Sequence, residues 1–518
     1  MTATRRIVLN VLATYGRSVF VLFVGLFTSR WVLRALGKTD LGLFALVGST
    51  IAFVAVFNNV LGLAASRFFA YAIGKSGTKD RHEESEDVQR WFNAALSIHL
   101  VMPVVLVATG YPLGAYAIRH WFVIPPERIG ACLWVFRLSM ASLFCTVASV
   151  PFISMYKAHQ LISELAFWGV FQALLLLGLV YRLLFVQGDR LVCYSMMLVI
   201  PGIAVQLAQM FRAWRTFGAC RVRPSMMFDR ARILPLFRYA FWELFSCGGD
   251  IARKNGTAFI INRFFGPAMN ASYSITLHVS AHTGTFTSAL LGAMAPAVTT
   301  AEGAKNSGSA VALAFRSGKF AVLLTALFAI PLVVEIDEVL RIWLETPPDG
   351  TATLCRCLLC ALICHKLGIG QHLMVAAKGR IGLFNFVLGI TSLSTLVFVY
   401  AFVKAGWGPL GIGLSFVISY SLLSLERAVF GWRLCGMSLR HWCFRIVIPL
   451  LAVVVLAFLA GFAVQGAASA SVWRLLAVGV TTTAVLAAGA VLFVLDAGER
   501  RFAATRLCRL FGARRTSS

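Results

Sequence analysis

The chain has 518 residues, 59% of them hydrophobic and only 13% charged, with a mean hydropathy of +0.80. A water-soluble domain carries about a quarter charged residues, and single cores stop growing near ~300 residues, so a soluble enzyme is excluded and lipid is the natural solvent. The formal charge of +26 would suggest nucleic acid in a soluble protein, but here Lys and Arg lie between apolar runs, as in loops that orient a membrane protein; no nucleic-acid partner is expected.

Taken in order, apolar stretches long enough to cross a bilayer fall at 10–33, 41–72, 92–118, 129–155, 161–186, 191–213, 236–264, 269–300, 310–333, 351–377, 381–403, 409–432, 443–464 and 472–496. They predict an all-α polytopic membrane protein with about fourteen transmembrane helices. The first is too long for the apolar core of a cleavable signal and lacks an A-x-A-like exit, so it is expected to stay as a span. Hydropathy alone would discard 236–264, because Glu243, Asp250, Arg253 and Lys254 interrupt it. Loop charge keeps it. With the N-terminus inside, the expected cytoplasmic segments hold 24 Lys and Arg against 8 outside. Dropping this helix would put the arginine-rich tail outside, against the positive-inside bias. Both termini are therefore expected to be cytoplasmic.

The twelve cysteines lie mostly in apolar runs, where a thiol packs as a small hydrophobe. Cys355, Cys357, Cys360 and Cys364 cluster, but no second Cys or His pair follows at zinc spacing, and no metal site is expected.

The chain carries a repeat. RALGKTDLGLFALVGS at 34–49 aligns with RFFGPAMNASYSITLH at 263–278 at a constant offset of 229, matching Arg34 with Arg263, Gly37 with Gly266 and, further on, Gly74 with Gly303. Chance likeness between apolar sequences is the competing explanation. A glycine at each place would let two helices turn tightly at the outer face, with small residues letting the next helix pack closely. The resulting plan is an N-lobe at 1–213, a basic cytoplasmic linker at 214–232, a C-lobe at 233–433, two additional helices at 434–496 and a basic tail at 497–518. Six helices per lobe make both halves run in the same direction.

The stretch ALGKTDLGLFALVGSTIAFVAVFNNVLGLAASRFFAYAIGKSG is similar to the opening signature of the polysaccharide flippases of the MOP superfamily, in their O-antigen and capsule branch. NRFFGPAMNASYSITLHVSAHTGTFTSALLGAMAPAVTTAEG resembles their central signature, including the FFGP-x-x-NA turn and the late Pro296; together the two cover about a sixth of the chain. The resemblance implies two six-helix lobes in a MATE-like arrangement around a central cavity, opening alternately to each side. It further implies a monomer in a bacterial inner membrane that moves polyprenyl-pyrophosphate-linked oligosaccharide to the outer leaflet, without catalytic residues and with no cofactor beyond coupling to H+ or Na+. The partners it implies are that substrate, membrane lipids and polysaccharide-assembly proteins.

A charge inside the bilayer costs several kcal/mol and so faces a cavity or a partner. Arg17 lies about 10 Å into its helix at 1.5 Å per residue, and Arg137 about a third of the way into its own; both are expected to face the cavity. Arg67, Arg182 and Arg263 lie nearer helix ends, where snorkelling competes. In CGGDIARKNGT, Gly248 and Gly249 are expected to loosen the helix, while Asp250 pairs with Arg253 at i+3 and Lys254 at i+4. This segment reads either as a cationic wall or as a neutralised structural cluster. The expected substrate site is therefore Arg17, Arg67, Arg137, Arg253 and Lys254, with Asp250 and Glu243 tuning the charge or binding a coupling ion. Gly37, Gly266, Gly248, Gly249 and Pro296 are the expected turns and hinges. His278, His282 and the hydroxyls from Ser272 to Thr287 read equally as a hydrated face or as helix–helix glue. Lys366 and His365 also fall in an apolar run. Two rivals remain. A drug or cation exporter of the same fold would favour cavity carboxylates, and a membrane glycosyltransferase, polymerase or ligase would need more outer loop than 334–350 provides.

Overall fold

The computed structural model describes residues 3–76, 86–122, 124–344 and 346–500; Lys79, Arg81 and the expected tail beyond 500 lie outside them. Every regular element among the described residues is helical: α1 Ala3–Ser76, α2 Glu86–His120, α3 Ile129–Ala158, α4 Ile162–Leu183, α5 Arg190–Thr216, α6 Arg230–Gly303, α7 Ser307–Val334, α8 Ile336–Leu344, α9 Thr351–Leu367, α10 Ile369–Lys378, α11 Gly382–Lys404 and α12 Gly408–Cys435. Two more follow, α13 Leu439–Ala467 and α14 Val472–Val494. Nine of the described helices are long and apolar enough to cross a membrane, and α9 with α10, bent by 45°, makes a tenth. The protein is a multi-pass membrane protein.

The two longest elements, α1 and α6, have 74 residues each, and each is two helices run together across a break. The breaks fall at Gly37 (φ 74°, ψ 177°) and Gly266 (φ 79°, ψ −172°), a backbone region that glycine alone populates freely. Nothing lies within 4 Å of a Cβ built at either position, so conformation rather than space demands the glycine. Gly37→Ala and Gly266→Ala should each cost about 1–3 kcal/mol of stability, read as a fall in the thermal midpoint of the detergent-solubilised protein. An equal cost at Gly16→Ala, where there is open space and no positive φ, would contradict this.

Two compact units divide the chain: Met1–Leu244 with Gly292–Ala310, and Phe245–Leu291 with Val311–Ser518. In the first, Val32, Leu36, Val47, Ile118, Val135, Phe136, Val180 and Leu191 form a buried cluster from α1 to α5. Arginines from neighbouring elements splint the Gly37 break. Arg190 donates to the Ala35 carbonyl at 3.2 Å, and Arg128 pairs with Asp40 at 2.6 Å and Asp189 at 3.1 Å. The linker 214–232 is docked rather than loose, because the buried Asn93 donates to the Arg221 carbonyl at 3.2 Å and accepts from the Arg223 amide at 2.8 Å. Asp229 then caps α6 by accepting from the Ala231 amide at 3.0 Å.

In the second unit, α6 runs unbroken through Gly248 and Gly249, and again through Pro296 in the first unit; its non-helical residue is Gly266. The helix is thus continuous at 248–249 and at Pro296, the positions expected to loosen or hinge it. Gly249 serves close packing, since a Cβ there would sit 2.7 Å from the Gly389 carbonyl oxygen of α11. In lipid, such backbone approach replaces the hydrophobic drive that water would supply. The amphipathic α8, which turns Ile336 and Leu340 inward, occupies what the sequence read as plain outer loop.

The last two helices, α13 and α14, dock on α7 through Leu450, Val453, Ala457 and Leu486 against Val322, Ala326, Ile330 and Val333. Ion pairs pin both ends. Glu335, 1% exposed, pairs with Arg474 at 2.7 Å. Lys319 pairs with Asp496 and Glu499 at 2.8 Å each, and Arg316 with Glu499 at 2.9 Å. The Lys319 hydrogen bond holds the Asp496 carboxyl below the usual carboxylate range. That contribution is therefore present at neutral pH and fades as acid titrates Asp496 through its lowered value. Lys319→Met strands the buried Glu499 beside Arg316 alone. It should lower stability by about 3 kcal/mol and raise proteolysis between α12 and α14; an unchanged proteolytic pattern would count against the anchor.

Candidate functional site

The charged segment of α6 folds into a buried relay. Asp250 pairs with Arg253 one turn on, and with the Lys254 ammonium at 2.8 Å. Arg253 is 2% exposed. It donates to the Tyr420 hydroxyl at 3.0 Å and lies over the rings of Tyr420 and Phe416, at 4.4 and 5.6 Å. Tyr420 in turn packs on His365, with ring centroids 4.6 Å apart. Arg427 closes the chain by donating to the His365 carbonyl at 3.0 Å and contacting its Nε2 at 3.0 Å. A guanidinium cannot accept, so Nε2 is the acceptor and the imidazole proton sits on Nδ1.

Arg427 also explains the bent span. Where α9 ends, Arg427 takes the His365 carbonyl, Ser424 takes that of Cys364 at 2.5 Å, and Trp442 takes that of Leu367 at 3.0 Å. Carbonyls freed by the bend thus regain donors, as the bilayer requires. Sequence reasoning missed Arg427 and its neighbour Glu426, which accepts from Thr391 at 2.5 Å. The signal was present as a Glu-Arg doublet inside the apolar run SLLSLERAVFGW.

Arg253 thus turns into its own unit. The cations that remain accessible among the predicted set are Lys254, 46% exposed, and, in the other unit, Arg17 and Arg137. Arg17 lays its stem across α4, where a Cβ on Gly169 would fall 2.8 Å from its Cδ. Arg137 donates to the Tyr111 hydroxyl at 3.0 Å and sits over Trp134 at 5.4 Å. Arg67 is half-buried in an aromatic cage of Phe68, Tyr71 and Tyr239, at 4.6, 5.4 and 5.5 Å. Glu243, half-buried, lies in the first unit, and Asp250 two turns later in the second.

The half of α6 after Gly266 is two-faced. Ser272, Thr276, Thr283 and Thr287 are buried, and serve as helix glue: Ser272 donates to the Asp349 carbonyl at 3.0 Å, and Thr287 bonds Thr325 at 2.8 Å. On the opposite face Ser274, His278, His282, Thr285 and Ser288 are all exposed, at spacings of three and four residues that draw one stripe along a helix. The hydroxyls of that stripe bond only carbonyls of their own helix, at 3.0 Å each. In a helix that crosses the bilayer, as the sequence predicts for 269–300, such a polar stripe belongs against water or protein rather than lipid.

No family model and no curated protein matches the sequence. Solved structures do. The chain is similar to a crystal structure of a MATE point mutant, with a TM-score of 0.71 and 14% identity, over 83% of this chain and 96% of that one. It is similar to a MOP superfamily transporter from Pyrococcus furiosus, described as having a binding pocket of reverse polarity that suggests a different function (TM-score 0.69, 15% identity, 83% and 95% covered). An outward-facing multidrug resistance MATE family transporter of the MOP superfamily gives a TM-score of 0.67 at 16% identity, over 83% and 95%. The protein therefore has the fold of the MATE transporters of the MOP superfamily.

Proposed function

We propose that the protein is an alternating-access flippase carrying polyprenyl-pyrophosphate-linked oligosaccharide from the cytoplasmic to the outer leaflet of a bacterial inner membrane. The observation that carries this reading is the exposed stripe Ser274–His278–His282–Thr285–Ser288. Hydroxyls and imidazoles bond sugar hydroxyls well, and their length along α6 suits several sugar units. Lys254, accessible in the unit that carries the stripe, supplies a charge-assisted hydrogen bond to the pyrophosphate, whose passage through bare lipid would cost tens of kcal/mol. Arg253 is a positioning residue: it fixes Asp250, which fixes Lys254. The polyprenyl tail stays in lipid throughout. No covalent change is needed, so the protein is read as a transporter and not an enzyme.

A MATE-like exporter of drugs or organic cations is the runner-up. Such a substrate needs an unengaged carboxylate, and Asp250 is held by two cations. The polarity described for the Pyrococcus furiosus transporter gives precedent for pocket charge tracking function on this fold. The test is a reconstitution in liposomes with a fluorescent polyprenyl-pyrophosphate glycan and, separately, an organic dye cation. Lys254→Ala should slow glycolipid transfer about tenfold through loss of one charge-assisted bond. Transfer of the dye cation but not of the glycolipid would favour the runner-up.

A further inference from the structure

Gly74 and Gly303 meet in a contact of unusual closeness. A Cβ on Gly74 would lie 2.1 Å from the Thr300 carbonyl oxygen, and a Cβ on Gly303 would lie 2.2 Å from the Tyr71 carbonyl oxygen. Both distances rule out any side chain, and in both the obstacle is backbone, which cannot swing aside. The two contacts are equivalent under the repeat: the offset of 229 that relates Gly37 to Gly266 carries Tyr71 to Thr300 and Gly74 to Gly303. Residue i of one repeat touches residue j of the other, and j touches i. That is the signature of an isologous, two-fold contact, built here inside one chain.

The helix end that bears Gly303 is also divided from its own beginning. Residues 245–291 cluster with the second unit, whereas 292–310 cluster with the first, where Gly74 lies. On the same helix as Gly74, two turns earlier, the first unit holds a run of aromatic and ionic contacts. Phe68 stacks on Trp91 at 4.4 Å, Arg232 lies over Trp91 at 4.9 Å, and Arg232 pairs with Asp87 at 2.7 Å. Backbone laid on backbone packs closely enough to hold helices together in lipid, so the crossing holds the closed arrangement and the transport cycle must drive it apart. Lys75 and Lys305 flank the two glycines, which places the crossing on the basic, cytoplasmic side by the positive-inside bias.

We infer that Gly74 and Gly303 form a two-fold clasp closing the cytoplasmic end of α1 and α6, and that this clasp must open and reclose in each transport cycle. The inference rests on the transport reading above for its role in the cycle, but the clasp itself can be tested without any substrate. A side chain at either glycine wedges it apart. In lipid nanodiscs, Gly74→Leu and Gly303→Leu should each raise amide hydrogen exchange about tenfold or more in both 66–76 and 296–304, because opening one helix end frees the other. Gly292→Leu, on the same helix as Gly303 but facing open space, should leave both segments at parental rates. Should leucine prevent folding, Gly303→Ala, a single added carbon, should raise exchange in the same two segments to a lesser degree. Exchange that rises only in the substituted helix, or in neither, overturns the clasp and leaves the flippase reading standing. In liposomes the wedged variants should move glycolipid at least about tenfold more slowly than the Gly292→Leu control, since a gate that cannot reclose cannot complete a cycle. Parental transport rates with both segments exchanging fast would overturn its role as a gate.

Discussion

Asp250→Ala should lower the stability of the purified protein by about 3–5 kcal/mol, the cost of stranding a buried charge. Arg253 is 2% exposed, and its remaining polar partner is the Tyr420 hydroxyl at 3.0 Å; the rings of Tyr420 and Phe416 offset only part of the lost attraction. Removing the cation as well should recover most of the loss, because Asp250→Ala with Arg253→Met leaves no uncompensated charge and keeps an unbranched chain of similar bulk. Thermal midpoints for the two single variants and the double give the coupling directly. Additive losses would show that Asp250 and Arg253 do not depend on each other, and the relay through Tyr420, His365 and Arg427 would lose its anchor.

Replacing Ser274 and His282 together by leucine should slow glycolipid transfer about a hundredfold while leaving the thermal midpoint within error. Each lost hydrogen bond to sugar is worth about 1–1.5 kcal/mol, or roughly tenfold. Both residues are exposed, and the Ser274 hydroxyl bonds only the Asn270 carbonyl of its own helix at 3.0 Å, so folding does not need them. The opposite face supplies the control. Thr287→Leu removes the 2.8 Å bond to Thr325 and overfills a buried contact, so it should destabilise the protein before it touches transport. If the outer stripe faced lipid, leucine would suit it better and neither stability nor transport would fall.

Much of the fold was legible because it is written in backbone demands. Gly37 and Gly266 need a conformation that other residues avoid, so a repeat too faint for overall similarity still surfaced at those two positions. The charged run in α6 was legible as an ion-pair cluster because i+3 and i+4 spacing fixes which side chains meet. The direction of those side chains was not. Arg253 and Lys254 are adjacent in sequence, yet one is buried and the other exposed, because a step of one residue turns the helix by about 100° and only the partner helix decides which face is covered. Gly249 has a second use that sequence alone did not show: the same residue that loosens a lone helix permits close crossing when another backbone, here at Gly389, lies against it. The bend between α9 and α10 has no proline to announce it. It is made tolerable by Arg427, Ser424 and Trp442, which are distant in sequence, and no local pattern reveals such a dependence.

The central claim is that this fold houses a polar, cationic route for an anionic glycolipid. Its most direct test is the initial rate at which a fluorescent polyprenyl-pyrophosphate oligosaccharide becomes accessible on the opposite leaflet of liposomes containing the purified protein. Transfer well above protein-free vesicles, without chemical change in the glycolipid and reduced by Lys254→Ala, is the predicted result. Transfer no faster than in protein-free vesicles, or the appearance of new glycosidic bonds, would contradict it.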